Sequence, residues 1–424
     1  MTQQRAGEAP VIGPGGRAFA GLTDQAFAAG ANAVNALVAG VLLGPAAYGR
    51  YVAAIGVAFI TLAVARAFTG EVLLTYTARA DGGDFRDQVR DAAATSLSIG
   101  GLAMVVGAGI WLLGFELMSD LLWVLPFLPA ALLADAGRYA LLSHFRPQRS
   151  MMITGIALLT QLGMVVALVL RDVVSPAWLL VAWGIGTTVG AGMALGLLAF
   201  NPLRGRPRRW FAATRHLSTW FTGSAVLSQT QNWVVLYFVG GYLGHAELGG
   251  LRMLQMLVLM PAQNFIWAVS GLIVPGYSKL SEAGKLRRIR RRTQTLVLAF
   301  TAVGLLVVAL VPLGEWLLVR LLPAYREFGV LVWPIAMQAG LYLVQSPLNA
   351  ALRGLQQARL SFLQYVVFVV VLLPASLVGA VSRGVLGAAY GMVVGAFAGL
   401  LAAYFFYHRA VRQLAKRQVV GGEP

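Results

Sequence analysis

Residues 32–49 read Asn-Ala-Val-Asn-Ala-Leu-Val-Ala-Gly-Val-Leu-Leu-Gly-Pro-Ala-Ala-Tyr-Gly. Two hundred residues later, 232–249 read Asn-Trp-Val-Val-Leu-Tyr-Phe-Val-Gly-Gly-Tyr-Leu-Gly-His-Ala-Glu-Leu-Gly. Asn32, Val34, Gly40, Leu43, Gly44, Ala46 and Gly49 each meet an identical residue, seven matches in eighteen positions. In both copies an apolar run leads into a connection bounded by two glycines, so the chain reads as a duplicated unit. With a drift of one residue, Gly70 and Tyr76 meet Gly271 and Tyr277. At an offset of 210, Ala140, Leu142 and Arg149 meet Ala350, Leu352 and Arg359.

Outward from this repeat, apolar stretches long enough to cross a bilayer, about 20 residues each, fall at 20–43, 52–76, 92–114, 118–142, 151–170 and 177–199. A second set falls at 219–243, 253–277, 294–318, 329–351, 361–381 and 385–407. Alternate connections differ sharply in charge. The set that includes both termini holds 25 Lys and Arg residues, among them Arg204, Arg206, Arg208, Arg209 and the run Lys285–Arg292. The other set holds Arg50, Arg171, Arg252, Arg320, Arg326 and Arg383. The excess of basic residues marks the cytoplasmic side and places both termini there. Six spans per copy is an even number, so the repeats enter from the same side and are parallel, a usual construction for carriers. The expected fold is all-α: twelve transmembrane helices in two pseudo-symmetric six-helix lobes around a central cavity. The lobes cover 18–200 and 218–408. A basic linker at 201–217 joins them, a disordered tail covers 1–17, and a basic tail covers 409–424, whose last residues from Val419 read as disordered.

Composition narrows the function. The chain is 58% hydrophobic and 12% charged with mean hydropathy +0.73, which excludes a soluble globular fold. Its net charge of +17 lies in short loops beside spans, which points to anionic membrane lipids rather than nucleic acid. The absence of cysteine excludes disulfides, thiolate metal sites and cysteine nucleophiles. His144, His216, His245 and His408 are scattered, and the outer loops are short, so the pattern is that of a carrier and not an enzyme, with no metal or cofactor implied. The first apolar run carries Asp24, Asn32 and Asn35, unlike a cleaved signal core.

Ionisable residues inside spans are costly, about 2.5–3.5 kcal/mol each at the bilayer centre. Asp24, Arg66, Glu71, Asp135 and Arg138 are of this kind, all in the first lobe and all in the half nearer the termini. Two readings stay open. Arg66 and Arg138 hold a diphosphate through their planar forks while the carboxylates tune them, or the five pair with one another to join spans. The second lobe offers uncharged groups: Gln229, Gln231 and Asn232, then Gln263 and Asn264, then Gln338, Gln345 and Asn349. These suit sugar hydroxyls, with Trp233, Trp267 and Trp333 as stacking faces, or else serve as hydrogen bonds between helices. Pro261, Pro275, Pro334, Pro347 and Pro374 are expected to bend their spans.

Several motifs resemble a known family. Leu22-Thr23-Asp24-Gln25-Ala26-Phe27, Asn32 and the segment Leu43–Tyr51 resemble the first span and loop of polysaccharide flippases. Phe68–Leu74 resembles the end of that family's second span, and Asp135–Ala140 with Arg146-Pro147-Gln148-Arg149 resembles its fourth span and following loop. These flippases belong to the multidrug/oligosaccharidyl-lipid/polysaccharide exporter superfamily, in its O-antigen-type branch of twelve spans. The resemblance implies two lobes forming a V-shaped cavity in the bacterial plasma (inner) membrane. It implies translocation of a lipid-diphosphate-linked oligosaccharide, coupling to a proton or sodium gradient as in several members, and contacts with other polysaccharide-assembly proteins. The rival reading on the same scaffold is an ion-coupled multidrug or cation antiporter, which calls for acidic groups in an apolar cavity.

Overall fold

Gly44 ends the first helix because its backbone (φ 70°, ψ 173°) lies where side chains other than glycine's clash. Gly244 does the same in the second copy (φ 120°, ψ 172°). In this computed structural model the described residues are 14–76, 82–144 and 146–420, and every regular element among them is helical. The first lobe contains α1 (14–43), α2 (45–76), α3 (Gly82–Leu112), α4 (Leu128–Ser143), α5 (Pro147–Leu170) and α6 (Pro176–Leu198). The second contains α7 (Pro207–Tyr242), α8 (245–282), α9 (Leu286–Ala309), α10 (Val332–Gly354), α11 (358–382) and α12 (385–420).

Eight helical stretches are long and apolar enough to cross a bilayer. Two of them, Ala26–Leu74 and Arg359–Ala415, are pairs of spans broken at Gly44 and at Arg383-Gly384. The remaining two spans, α7 and α8, are long enough but more polar, because they carry the amides of the second lobe. This is a multi-pass membrane protein with twelve spans. Helix starts follow local chemistry: Pro147, Pro176 and Pro207 occupy first-turn positions where no N–H is needed.

Three boundaries differ from the sequence reading. Helix α1 begins at Pro14, inside the segment read as a disordered tail; residues 1–13 and 421–424 lie outside the described residues. Helix α12 runs on to Val420, so the basic C-terminal segment from 409 is mostly helix. The linker shrinks to 199–206, since Pro207 already starts α7. Its arginines mask an amphipathic pattern in which Trp210, Thr214 and Ser218 form a buried stripe at helical spacing. Trp210 donates its indole N–H to the Phe68 carbonyl (3.3 Å), and Arg209 pairs with Asp87 and with buried Asp91 of α3.

The core explains how the lobes meet. In the half away from the termini, one continuous apolar cluster unites both lobes, from Tyr48 and Ile55 through Leu236, Leu251 and Tyr325 to Leu372. In the half nearer the termini the core divides. Val72, Phe85 and Ala140, with Ile153 and Ala194, belong to the first lobe, and Tyr277, Leu352 and Tyr407 to the second. The two lobes are therefore fused on the side away from the termini, and on the terminal side their cores divide apart from the start of α7, whose Trp210 packs into the first-lobe cluster.

A reciprocal crossing seals the fused half. A Cβ on Gly49 would overlap the His245 carbonyl, and a Cβ on Gly249 would overlap the Pro45 carbonyl. Pro45 and His245 are repeat mates, as are Gly49 and Gly249, so the crossing has local two-fold symmetry. Tyr325 donates a hydrogen bond to the Gly40 carbonyl (2.9 Å), and its ring meets Tyr48 edge-on.

Candidate functional site

The first-lobe charges come together, and they pair. Arg66 donates two parallel hydrogen bonds to Asp135, both 3.0 Å. Arg138 donates to the same carboxylate at 3.3 Å and to Asp24 at 2.8 Å. Three spans, α1, α2 and α4, are thereby joined by a chain of four alternating charges with no net charge. Asp24 is fully buried, and the Arg66 side chain is 35% exposed. Glu71 is exposed one turn beyond Arg66 and adds to the electrostatic field on it. Arg66 opens a π-turn, Arg66–Gly70, a widened turn frequent at functional sites. Within it Gly70 accepts the Tyr139 ring at close range, and the Arg66 guanidinium lies 5.6 Å from that ring's centre.

The second lobe holds the open space. A cavity of about 390 Å³ lies among α7, α8, α10 and α11, lined by Gln231, Asn232, Gln263, Gln345, Asn349 and Gln364 together with Tyr342, Tyr365 and Phe368. Its terminal end is marked by Arg353 and Ser361. A narrower pocket shares Gln231, Asn232, Gln263 and Tyr342 with it and continues toward the fused half, where Gln255, Gln338 and Arg252 line it. A second π-turn, Gln255–Leu259, sits beside this pocket, just before Pro261, which has no N–H to continue the regular ladder. Of the residues expected from sequence, Asn232 and Gln263 meet in this cavity. Asn264 does not: one position further on the helix turns it about 100° away, and it is exposed and lines neither cavity.

Arg252 was not legible as a site residue, because the sequence reading placed it in an outer loop. Helix α8 starts at His245, so Arg252 lies two turns inside the span. Its guanidinium sits 5.2 Å from the centre of the Trp233 ring and forms no ion pair among the described residues. The repeat held the missing signal: an offset of 200 sets Arg252 on Val52, which is buried in α2. The tryptophans also differ from expectation. Trp233 is buried against Gly56 and Tyr237 and donates to Gln229 (3.0 Å), and Trp333 is 41% exposed, while the Trp267 side chain lies outside the described set. The rings lining the cavity are those of Tyr342, Tyr365 and Phe368.

No protein-family model matches the chain, and no curated protein sequence matches it. Its fold is shared by solved transporters. A lipid II flippase MurJ in an inward closed conformation aligns with a TM-score of 0.71 at 12% identity, covering 95% of this chain and 90% of that one. An inward-facing multidrug resistance MATE family transporter of the MOP superfamily gives 0.68 at 13% identity, covering 91% and 95%. An outward-facing one gives 0.59 at 11% identity, covering 95% and 97%. The chain thus has the twelve-helix, two-lobe fold of flippases and multidrug transporters.

Proposed function

We propose that this protein is an alternating-access carrier that moves a lipid-diphosphate-linked oligosaccharide across the bacterial plasma membrane for polysaccharide biosynthesis. The observation that carries this reading is Arg252. A guanidinium inside a span without a carboxylate partner is costly unless it serves an anion, and this one lies at the inner end of an amide-lined cavity. The basic terminal face is the cytoplasmic one by the positive-inside rule. The separated cores on that face and the sealed crossing opposite it support an inward-facing state. A phosphate-bearing headgroup would enter from the cytoplasm and leave once the crossing parts. The similarity to a lipid II flippase supports a lipid-linked substrate.

The rival antiporter reading needs acidic groups in the cavity, and no carboxylate lines either cavity among the described residues. The buried acids Asp24 and Asp135 are instead held by arginines. They are the span residues through which a proton or sodium gradient would act in this scheme. Deleting the gene and locating the lipid-linked intermediates tests the proposal. Accumulation on the cytoplasmic leaflet supports it; unchanged glycans with altered drug tolerance would favour the antiporter.

A further inference from the structure

We infer that the second-lobe cavity is a glycan subsite, taking uncharged, hydroxyl-rich sugar rings, and that the first lobe does not read the glycan. This rests on the carrier reading above. The volume of about 390 Å³ falls within the range of small-ligand sites. Three lining amides on three different helices, Asn232, Gln263 and Asn349, have no hydrogen-bond partner within the described protein. Asn232 and Gln263 face the open cavity, and the Asn349 Oδ1 is buried without a partner; each of the three amides can both donate and accept. That is the pairing a sugar hydroxyl offers.

One wall of the cavity is aromatic. Phe368 has Tyr342 at 5.9 Å and Tyr365 at 5.7 Å between ring centres. Flat apolar rings beside amides match a pyranose, which has C–H faces and a hydroxyl rim. The buried polar groups within the first-lobe spans that the sequence singles out are already paired. Arg66 and Arg138 are engaged by Asp24 and Asp135, and Asn35 is hydrogen-bonded to both Gln161 and Tyr51. Cross-helix hydrogen bonding is the plainer use of such amides, and the second lobe contains three such contacts: Tyr365 to Gln231, Gln364 to the Gly399 carbonyl and Gln255 to Met392. The three unpartnered amides are not accounted for by them.

The test uses proteoliposomes of the full chain and the lipid-linked glycan that accumulates when the gene is deleted. The comparison substrate is the same lipid diphosphate carrying only its first sugar. Gln263→Leu and Asn349→Leu should slow the full glycan about tenfold, the effect of about 1.4 kcal/mol, and leave the one-sugar lipid near the wild-type rate. Asn349→Ser replaces a leucine variant that fails to fold. If wild type moves both substrates and the variants slow them alike, or not at all, the glycan subsite falls while the carrier reading stands. If wild type moves neither, the carrier reading itself falls.

Discussion

Gly249 packs so closely on Pro45 that a methyl group at its Cα would overlap the Pro45 carbonyl oxygen. Gly49 stands in the same relation to His245, and the two contacts together close the half of the molecule away from the termini. Only glycine permits two helices from different lobes to approach at this distance. In the proposed transport cycle the crossing has to separate before cargo can leave on the side away from the termini.

Gly249→Ala should therefore weaken the closed state. Overpacking of this kind costs about 1–3 kcal/mol, a shift of about 5- to 150-fold in the closed-to-open ratio. The chain has no cysteine, so Ala39→Cys in the buried seam supplies a single reporter thiol. Its labelling by an impermeant maleimide from the outer face should rise in the alanine background. Unchanged labelling would show that the crossing does not govern closure.

Asp135 accepts from two arginines, whereas Asp24 accepts from one. Removing one partner of a buried pair costs about 3–5 kcal/mol. Asp135→Asn should lose stability on this scale in denaturant unfolding. Arg66→Gln should lose less, because that guanidinium is about one-third exposed and solvent screens it. Equal losses would contradict a shared central carboxylate.

The start of α7 is tied to the first lobe by Asp91, which accepts from the Arg206 N–H (2.8 Å) and from Arg209. Asp91→Ala removes both of these hydrogen bonds to a charged group and should cost about 1.5–3 kcal/mol, read as a lower melting temperature. A neutral result would mean that Trp210 alone anchors the helix.

At the end of α4, His144 stacks on Phe85 with ring centres 3.5 Å apart. Burial, and then the nearby Arg146 charge, hold its pKa below the ordinary 6.5. The folded state thus binds this proton less readily than the unfolded one. Its contribution to stability is complete above pH 6.5 and is lost as pH falls through the lower folded value. The melting temperature should drop on acidification through that window, and less steeply in His144→Gln. An identical slope in the variant would assign the effect elsewhere.

Much of the architecture is legible in the sequence because it has a covalent or periodic signature. Gly44 and Gly244 mark equivalent breaks, and the basic residues alternate from side to side. What escaped reading depends on where helices begin. A run of arginines between 204 and 215 looks like a loop, although Pro207 starts a helix whose other face is buried. Arg252 looks like an outer-loop charge until α8 is seen to start seven residues earlier, at His245. Pairing escaped for a different reason: spacing puts Asp135 and Arg138 on one face, but only packing decides that Asp24 and Arg66 join them. The same holds for Asn264, where one residue of rotation separates the cavity from the exposed surface.

The most direct measurement is translocation of a lipid-diphosphate-linked glycan in proteoliposomes by wild type, Arg252→Gln and Arg252→Lys. A charged hydrogen bond contributes about 1.5–3 kcal/mol, so the glutamine variant should be slower by about 10- to 150-fold, with lysine recovering part of the rate. Wild-type transport by Arg252→Gln, or wild-type protein that moves organic cations and no lipid-linked glycan, would contradict the account.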